Sequence, residues 1–354
     1  MAKEKLHEMK QTSSTFQCRG IVAGTQSKRF YKNGTSQNGG SWNALEFGVK
    51  IAENKTVYVS MNGFTRPEVF YYKKGENGAK GTTQKVAWKD RNKAPGKDYR
   101  LIGVNISTDR DENGKNINET FTEYDAIEWL SKNLKDGESV FIKGNLQFSS
   151  YTDKNAQTRK KVELVPNQIS YTKEPVDFDA EDYTEMCEFE NTIVFSSIDQ
   201  EMDENDKKTG RFILSGYSIG YNSVENVSFI IKEDCAKLAT NLKKAMKSGY
   251  SIKTFGRVEV INDISIIEED DSGWGETSPL ERVNSPTRRE YIVYRADPNS
   301  IEKEDYSEDA INEAIRKIKA AKTAAENFGE KANANTDMAD DWGSDDDSDE
   351  SPWD

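Results

Sequence analysis

The sequence predicts a mainly β protein with a few helices, in which two five-stranded Greek-key barrels are followed by a C-terminal helix and a disordered acidic tail. Two observations lead to this fold class. Apolar residues alternate with other residues in several segments, as at Leu45, Phe47 and Val49, and a period of two is typical of half-buried strands. In addition, a pattern in the first half of the chain recurs in the second half at a constant offset.

The recurring pattern covers seven positions separated by 112 residues. Two apolar residues face the core from a helix, a glycine ends the helix, and a serine and a branched residue open a strand. A second glycine, followed by an apolar residue, marks a bend in that strand. The first copy is Leu130, Leu134, Gly137, Ser139, Val140, Gly144 and Leu146, and the second is Leu242, Met246, Gly249, Ser251, Ile252, Gly256 and Val258.

The order of elements around each copy is three strands, a helix and two strands, which is the order of the OB-fold. In the first copy we predict strands at 16–24, 42–51, 56–64, 139–148 and 161–171, and a helix at 123–134. In the second copy we predict strands at 188–198, 211–219, 224–231 and 250–261, and a helix at 234–247. The last strand of the second copy is left open between 264–267 and 289–294.

These elements define six segments. They are a flexible N-terminus (1–14), a first OB unit (15–173) with an insertion or extended loop at 65–100, a linker (174–186), a second OB unit (187–297), a C-terminal helical segment (298–329), and a disordered acidic tail (330–354). In the helical segment we expect a helix over 307–328 with Ser307 as its cap.

Composition argues against several functional classes. No apolar run approaches the ~20 residues of a membrane helix, and the first residues lack the apolar stretch of a signal peptide, so a cytoplasmic protein with no membrane partner is expected. The three cysteines are far apart and the only histidine is His7, so we expect no metal site and no cofactor. The common catalytic motifs are missing, so no enzyme is predicted, although composition alone leaves a magnesium-dependent nuclease open.

Charge is distributed unevenly along the chain. The net charge is −13, but residues 337–354 contribute −9, which leaves −4 for the other 336 residues. The segment from Arg66 to Arg100 holds ten basic and four acidic residues and therefore carries +6. A basic segment in an acidic chain indicates a polyanionic ligand.

Aromatic residues are interleaved with these cations, a combination that suits single-stranded DNA because cations follow the phosphates and rings stack on unpaired bases. The alternative for each ring is an anchor that fixes a solvated loop to the barrel. Two further loops, 25–40 and 149–161, combine cations with rings, and Trp42 faces either the core or the ligand. The predicted DNA contacts are Lys28, Arg29, Phe30, Tyr31, Trp42, Phe70, Tyr71, Tyr72, Lys73, Lys74, Lys85, Trp88, Lys89, Arg91, Tyr151, Lys154, Arg159, Lys160 and Lys161.

The tail contains two tryptophans, Trp342 and Trp353, among its acidic residues. It resembles the tail of single-stranded DNA-binding proteins, which end in an acidic run, a proline and an aromatic residue. Their terminal residue is Phe, whereas this chain ends in Trp-Asp. The predicted partner-binding residues are Asp349, Glu350, Pro352, Trp353 and Asp354.

The whole layout resembles the bacteriophage version of these proteins. The resemblance implies a body that coats exposed strands in DNA replication, recombination and repair. It also implies a tail that recruits a helicase, polymerase, primase or recombination protein, and a location in the host cytoplasm. Two barrels per chain favour a monomer or a homodimer.

The second reading is an acidic protein-binding adaptor or a DNA mimic of the replication machinery, in which acidity itself is the function. The +6 segment and its rings argue against this reading.

Overall fold

The computed structural model describes residues 5–36, 39–76, 79–152, 157–203, 205–262 and 287–330. Within these ranges the chain forms sixteen strands and three α-helices. The strands are β1 Ser14–Ala23, β2 Tyr31–Thr35, β3 Ser41–Ala52, β4 Lys55–Phe64, β5 Glu68–Lys73, β6 Thr82–Ala87, β7 Arg100–Leu101, β8 Val104–Arg110, β9 Asn116–Phe121, β10 Ser139–Thr152, β11 Thr158–Tyr171, β12 Met186–Met202, β13 Lys208–Ile219, β14 Val224–Ile231, β15 Ser251–Asn262 and β16 Thr287–Glu302. The helices are α1 Glu123–Asn133, α2 Ala236–Ala245 and α3 Glu308–Glu330.

The chain divides into two compact units. The first unit comprises Thr15–Gln147 and Glu163–Cys187, and the second comprises Met1–Ser14, Phe148–Val162 and Glu188–Asp354. The predicted first OB unit therefore loses the end of its last hairpin, residues 148–162, to the second unit. A boundary drawn along the sequence could not show this, because a hairpin end extends beyond the barrel that forms its base.

The first barrel is closed by five strands. β1 pairs antiparallel with β3 and with β10, β3 pairs antiparallel with β4, β4 pairs parallel with β11, and β11 neighbours β10. Numbered within the barrel, this is the strand order 1-2-3-5-4-1 of the OB-fold, with α1 between the third and fourth strands.

The second barrel repeats this topology. β12 pairs antiparallel with β13 and β15, β13 with β14, and β15 with β16, while β14 and β16 run parallel. The last strand includes 289–294, one of the two predicted alternatives, whereas 264–267 lies outside the described residues. The mainly β class with tandem OB barrels and a C-terminal helix is confirmed.

The glycines of the sequence repeat have the same structural task in both barrels. Gly137 and Gly249 end the segments after α1 and α2 with positive φ angles of 88° and 86°, which glycine adopts without strain. Gly144 lies opposite Phe16 on β1, and Gly256 lies opposite Phe189 on β12. In both barrels the missing side chain leaves room for the phenylalanine ring of the first strand.

Replacing Gly144 by Ala is expected to lower the stability of the first unit by about 3 kcal/mol or more, at the upper end of overpacking costs. The new Cβ would lie 2.0 Å from the carbonyl oxygen of Val165 and 2.7 Å from the Phe16 ring, and a backbone oxygen cannot rotate away. Thermal unfolding measures the effect. The control is Gly40→Ala, whose Cβ would have no neighbour closer than 3.4 Å; equal melting temperatures for the two variants would contradict the packing described.

The segment between β4 and α1 is folded, so of the two predicted alternatives for 65–100 it is an insertion and not an extended loop. Its strands form a separate three-stranded sheet in the order β6-β5-β7. The hairpin β8–β9 follows, and β8 runs parallel to β11 of the barrel. Frequent Gly and Lys residues suggested a loop, but β5 alternates buried and exposed side chains as a strand does.

The N-terminal arm, residues 5–14, is held on the second barrel, so the prediction of a flexible segment is wrong for these residues. Met9 is buried in a cluster with Ile219, Tyr306 and Ile311. The backbone N–H of Thr12 donates to the carbonyl oxygen of Ile219 at 2.9 Å, and the Tyr306 hydroxyl donates to the carbonyl oxygen of Lys10 at 3.1 Å. These partners lie about 200 or more positions away, beyond the reach of local sequence patterns.

The docked arm is expected to loosen as the pH falls below about 6.5, the ordinary pKa of histidine. Burial of His7, with a smaller contribution from the charge of Lys5, lowers the pKa of His7 in the folded state. Protons therefore bind more readily to the undocked arm, so docking is complete above the ordinary pKa and weakens below it. Amide exchange of residues 5–14, corrected for intrinsic rates, should rise between neutral pH and pH ~5.5. A His7→Gln variant should lose this dependence, and an unchanged profile in it would reject His7 as the cause.

The predicted linker 174–186 is packed on the first barrel and is not a free connection. The Tyr183 hydroxyl donates to the carbonyl oxygen of Ile51 at 2.6 Å, and the Arg19 guanidinium donates to the carbonyl oxygen of Thr184 at 3.1 Å. In the predicted helical segment, β16 continues to Glu302 before α3 begins. Ser307 caps α3 as expected, because its hydroxyl accepts from the Ala310 backbone N–H at 3.2 Å.

Candidate nucleic-acid interface

The outer surface of the β3–β4 hairpin carries three aromatic rings. Val57, Val59 and Met61 point into the barrel, so the alternate residues of β4 point outwards, and Tyr58 and Phe64 are 45% and 48% exposed. We call this surface the ribbon face. Its accessible residues are Trp42, Glu46, Lys50, Thr56, Tyr58, Ser60, Asn62 and Phe64, whereas Ala44 and Gly48 on the same side are buried.

Trp42 belongs to the ribbon face and not to the barrel core. It lies directly opposite Phe64 in the strand register, and its indole ring covers Gly34 of β2, where a Cβ would come within 2.9 Å of ring atoms. The indole N–H has no hydrogen-bond partner among the described residues. Trp42 and Phe64 are therefore a fixed, half-buried ring and an exposed ring side by side, and the indole N–H of Trp42 points into the protein.

The ribbon face itself is electrically mixed. Glu46 and Lys50 both lie on it, and the Ser60 hydroxyl donates to the Glu163 carboxylate of β11 at 3.2 Å. Cations without an ion pair among the described residues come from the adjacent segments, namely Arg66 beyond β4 and Lys28 and Arg29 in the loop before β2. The rings therefore provide the contact surface, and the flanking segments provide the positive charge.

The small sheet presents a second exposed surface, the insert face, which consists of Phe70, Tyr72, Lys85, Arg100 and Ile102. Phe70 and Tyr72 are 38% and 42% exposed. The Lys85 ammonium lies 5.5 Å from the Phe70 ring centroid and also pairs with Glu68. Arg100 lies opposite Tyr72 and has no ion pair within the described part of the chain. This face combines rings with cations.

The predicted contacts Tyr71 and Arg91 have structural roles instead, and as DNA contacts they are corrected. Tyr71 is 4% exposed, its hydroxyl donates to the Arg91 carbonyl oxygen at 2.6 Å, and burial raises its pKa. The Arg91 guanidinium donates to both carboxylate oxygens of Asp125 at 2.7 and 2.9 Å, which raises the pKa of Arg91. The Arg91 guanidinium carbon lies over the Trp88 ring, 4.7 Å from the ring centroid, so that side of the ring is covered. The rings of Trp88 and Tyr124 make a T-shaped contact with their centroids 6.0 Å apart. These residues attach the insert to α1.

The remaining predicted residues of the insert are lysines, and they differ in whether their charge is free to bind phosphate. Lys73 is half-buried and pairs with Asp98 at 3.2 Å, so its charge is already engaged. Lys74 and Lys89 are exposed and form no ion pair with a described residue. Both remain free for phosphate.

In the loop before β2, Phe30 is buried and anchors the loop, so its prediction as a DNA contact is wrong. Tyr31 is half-buried and lies on the side of β2 away from the ribbon face, where its hydroxyl donates to Asn43 at 3.1 Å. Lys28 and Arg29 are exposed. The Thr25 backbone N–H donates to Asp136 at 2.8 Å, which fixes the loop at its base.

The predicted contacts in 149–161 belong to the second compact unit. They are Tyr151, Arg159, Lys160 and Lys161, and the Lys160 ammonium donates to Asn226 at 2.6 Å. Lys154 lies outside the described residues, as do the tail residues Asp349, Glu350, Pro352, Trp353 and Asp354.

Sequence reasoning missed Tyr58, Phe64, Arg100 and Ile102. The signal for the first two was present, because Val57, Val59 and Met61 were identified as the inward side of a strand. The residues between them must then point outwards, and Tyr58 and Phe64 are aromatic. An aromatic residue on the solvent side of a strand indicates a binding surface more strongly than one in a glycine-rich segment.

Two features are absent from the described residues. No group of three or more His, Cys, Asp or Glu side chains is placed to hold a metal ion in that part of the chain. None of the helices there has both the length and the apolar composition for crossing a membrane.

The sequence matches a family model described as YorF over residues 20–331, which is most of the chain. The chain belongs to the YorF family. The match takes in all of α3 and both barrels apart from the first residues of β1. No curated protein matches this YorF chain.

Among solved structures, the single-stranded DNA binding protein from Thermus aquaticus resembles this chain in a deletion mutant and in the wild type. The TM-scores are 0.37 and 0.36 at 9% identity, over 81% of this chain and 94% and 93% of those chains. The Plasmodium falciparum protein in complex with single-stranded DNA gives a TM-score of 0.18 at 8% identity, over 47% of this chain and 98% of that chain. Scores at this level do not establish a shared overall fold, so the OB assignment comes from the strand order of each barrel.

Proposed function

We propose that this protein binds single-stranded DNA without sequence preference, through the ribbon face and the insert face of the first unit. The observation that supports this most is the placement of Tyr58, Phe64, Phe70 and Tyr72, whose rings are exposed on outward strand positions. Clustered exposed rings mark a binding surface, and unpaired bases offer flat faces of any sequence. In duplex DNA these faces are covered by stacking.

Charge supports the same ligand. Each free cation beside the rings, among them Lys28, Arg29, Lys74 and Arg100, can neutralise a phosphate and release a counterion. The chain as a whole is acidic, so attraction to DNA has to be local to the first unit. The proposal also includes a role in replication, recombination and repair, with recruitment of replication proteins by residues 349–354. It further includes a monomeric or homodimeric state, a cytoplasmic location and the absence of catalysis.

The test is a titration of the full chain with oligo-dT and with duplex DNA of the same length. Binding to oligo-dT is expected to quench tryptophan fluorescence and to weaken steeply with salt, with a slope that counts the phosphates neutralised. Duplex DNA should bind at least tenfold more weakly, since its base faces are hidden. Equal affinity for both DNAs would refute the stacking mechanism, and no binding to either would favour the protein-binding adaptor.

A further inference from the structure

Only the first turns of α3 pack against the rest of the second unit in the described structure. Ala310, Ile311 and Ala314 join the cluster around Met9 and Tyr306. The side chains from 315 to 324 are exposed, except for half-buried Ile318. A helix of 23 residues is about 34 Å long, and residues 315–324 account for about 15 Å of it beyond the packed turns.

This exposed length of α3 combines an apolar ridge with positive charge. Ile315 is 37% exposed, and Ile318 lies one turn further on the same side. Lys319 and Lys322 lie beside the ridge, Arg316 and Lys317 lie further round the same length of helix, and no acidic residue occurs between Ala314 and Ala325. Lys317 pairs with Glu313 at 2.7 Å, but the other three cations have no ion pair with any described residue.

An isolated helix is marginally stable in water, so this length of α3 is suited to an occupant. The positive charges on this length of helix select what that occupant can be. A second copy of α3 would bring four like charges against four like charges, which is unfavourable. A complementary occupant is acidic and carries an apolar side chain for the ridge.

We propose that residues 337–354 of the same chain dock on the exposed length of α3. They carry −9 and contain Trp342 and Trp353, which supply the charge and the apolar surface that the helix lacks. The contact does not depend on DNA binding. While it lasts, Trp342 is covered, so a partner protein that uses this segment has to compete with α3.

The chain length permits this contact. Ile318 lies twelve residues before the end of α3, which is about 18 Å along the helix axis. The eleven residues 331–341 span up to about 36 Å when extended, so Trp342 can return to Ile318. Single surface ion pairs are weak, but several act together here, and the short connection gives an effective concentration in the millimolar range.

Hydrogen exchange of α3 in the full chain tests the proposal. One variant, the tail variant, combines Asp345→Asn, Asp346→Asn and Asp347→Asn. The exchange rates of the peptides covering 315–330 are compared between this variant and wild type. At low ionic strength, exchange is expected to be roughly tenfold slower in wild type, and at about 1 M salt the difference should vanish through screening.

A reciprocal variant keeps the outcome clear. This variant combines Arg316→Gln, Lys319→Gln and Lys322→Gln. Because Gln is a good helix former, the helix is retained, and exchange should accelerate as it does in the tail variant. The matched control neutralises Lys207, Lys208 and Lys237, three exposed lysines of the same unit, and should leave α3 unchanged.

Equal exchange in wild type and the tail variant overturns the proposal. The proposal is also overturned if the protection of α3 against exchange rises with protein concentration and persists in the tail variant. In that case the exposed length of α3 binds a second copy of the chain. Neither result bears on DNA binding by the first unit, which the oligo-dT titration tests separately.

Discussion

Replacing Tyr58 and Phe64 together by Ala is expected to weaken oligo-dT binding by about 100-fold. Each stacked ring contributes roughly 1–3 kcal/mol, and ~1.4 kcal/mol corresponds to a factor of ten. Both rings point outwards from β4, so the barrel core of Val57, Val59 and Met61 is untouched and the melting temperature should hold. Fluorescence anisotropy with labelled oligo-dT measures the affinity.

The control for this variant is the removal of Tyr221 and Tyr294, two rings of the second unit that are 50% and 39% exposed. Their loss should leave the affinity nearly unchanged. If the folded Tyr58→Ala/Phe64→Ala protein binds oligo-dT with wild-type affinity, the bound DNA does not follow the ribbon face.

Replacing Asp125 by Ala should detach the insert from α1 and weaken oligo-dT binding roughly tenfold, about 1.4 kcal/mol, because Phe70 and Tyr72 lose their fixed position. Arg91 would keep a partly buried guanidinium without its bidentate partner. Breaking a buried pair costs roughly 3–5 kcal/mol, and the partial exposure of this one reduces the expected loss to about 2 kcal/mol. Limited proteolysis and amide exchange of residues 66–101 report the loosening.

Asp90→Ala is the matched control for the insert. Asp90 pairs with Lys93 at 2.9 Å in the same segment, but that pair is exposed, and such pairs contribute little to stability. Unchanged proteolysis of the Asp125→Ala protein would mean that Trp88 and the surrounding strands hold the insert without the ion pair.

Local patterns in the sequence predicted the elements of both barrels. Leu130 and Leu134 end a helix that faces a core, and Gly137 and Gly144 follow at spacings that recur 112 residues later, so the pattern reports packing within one barrel. The helix α1 and the cap of α3 follow from spacing and from single residues at their ends. Such features depend on neighbours along the chain.

The features that sequence reasoning missed depend on distant partners. Tyr71 and Tyr72 are adjacent and chemically identical, yet one is buried and the other exposed, because the pairing of β5 with β6 and β7 assigns them to opposite faces. The docking of residues 5–14 depends on Ile219 and Tyr306 in the same way. Charge and composition could locate the basic segment, but not the side chains within it that remain free.

The most direct measurement is photo-cross-linking of the full chain to oligo-dT that carries 5-iodouracil, followed by mapping of the modified residues. Stacking on the first unit predicts cross-links at Tyr58 and Phe64 of the ribbon face and at Phe70 and Tyr72 of the insert face. Cross-links confined to the second unit, with these four rings unmodified, would contradict it.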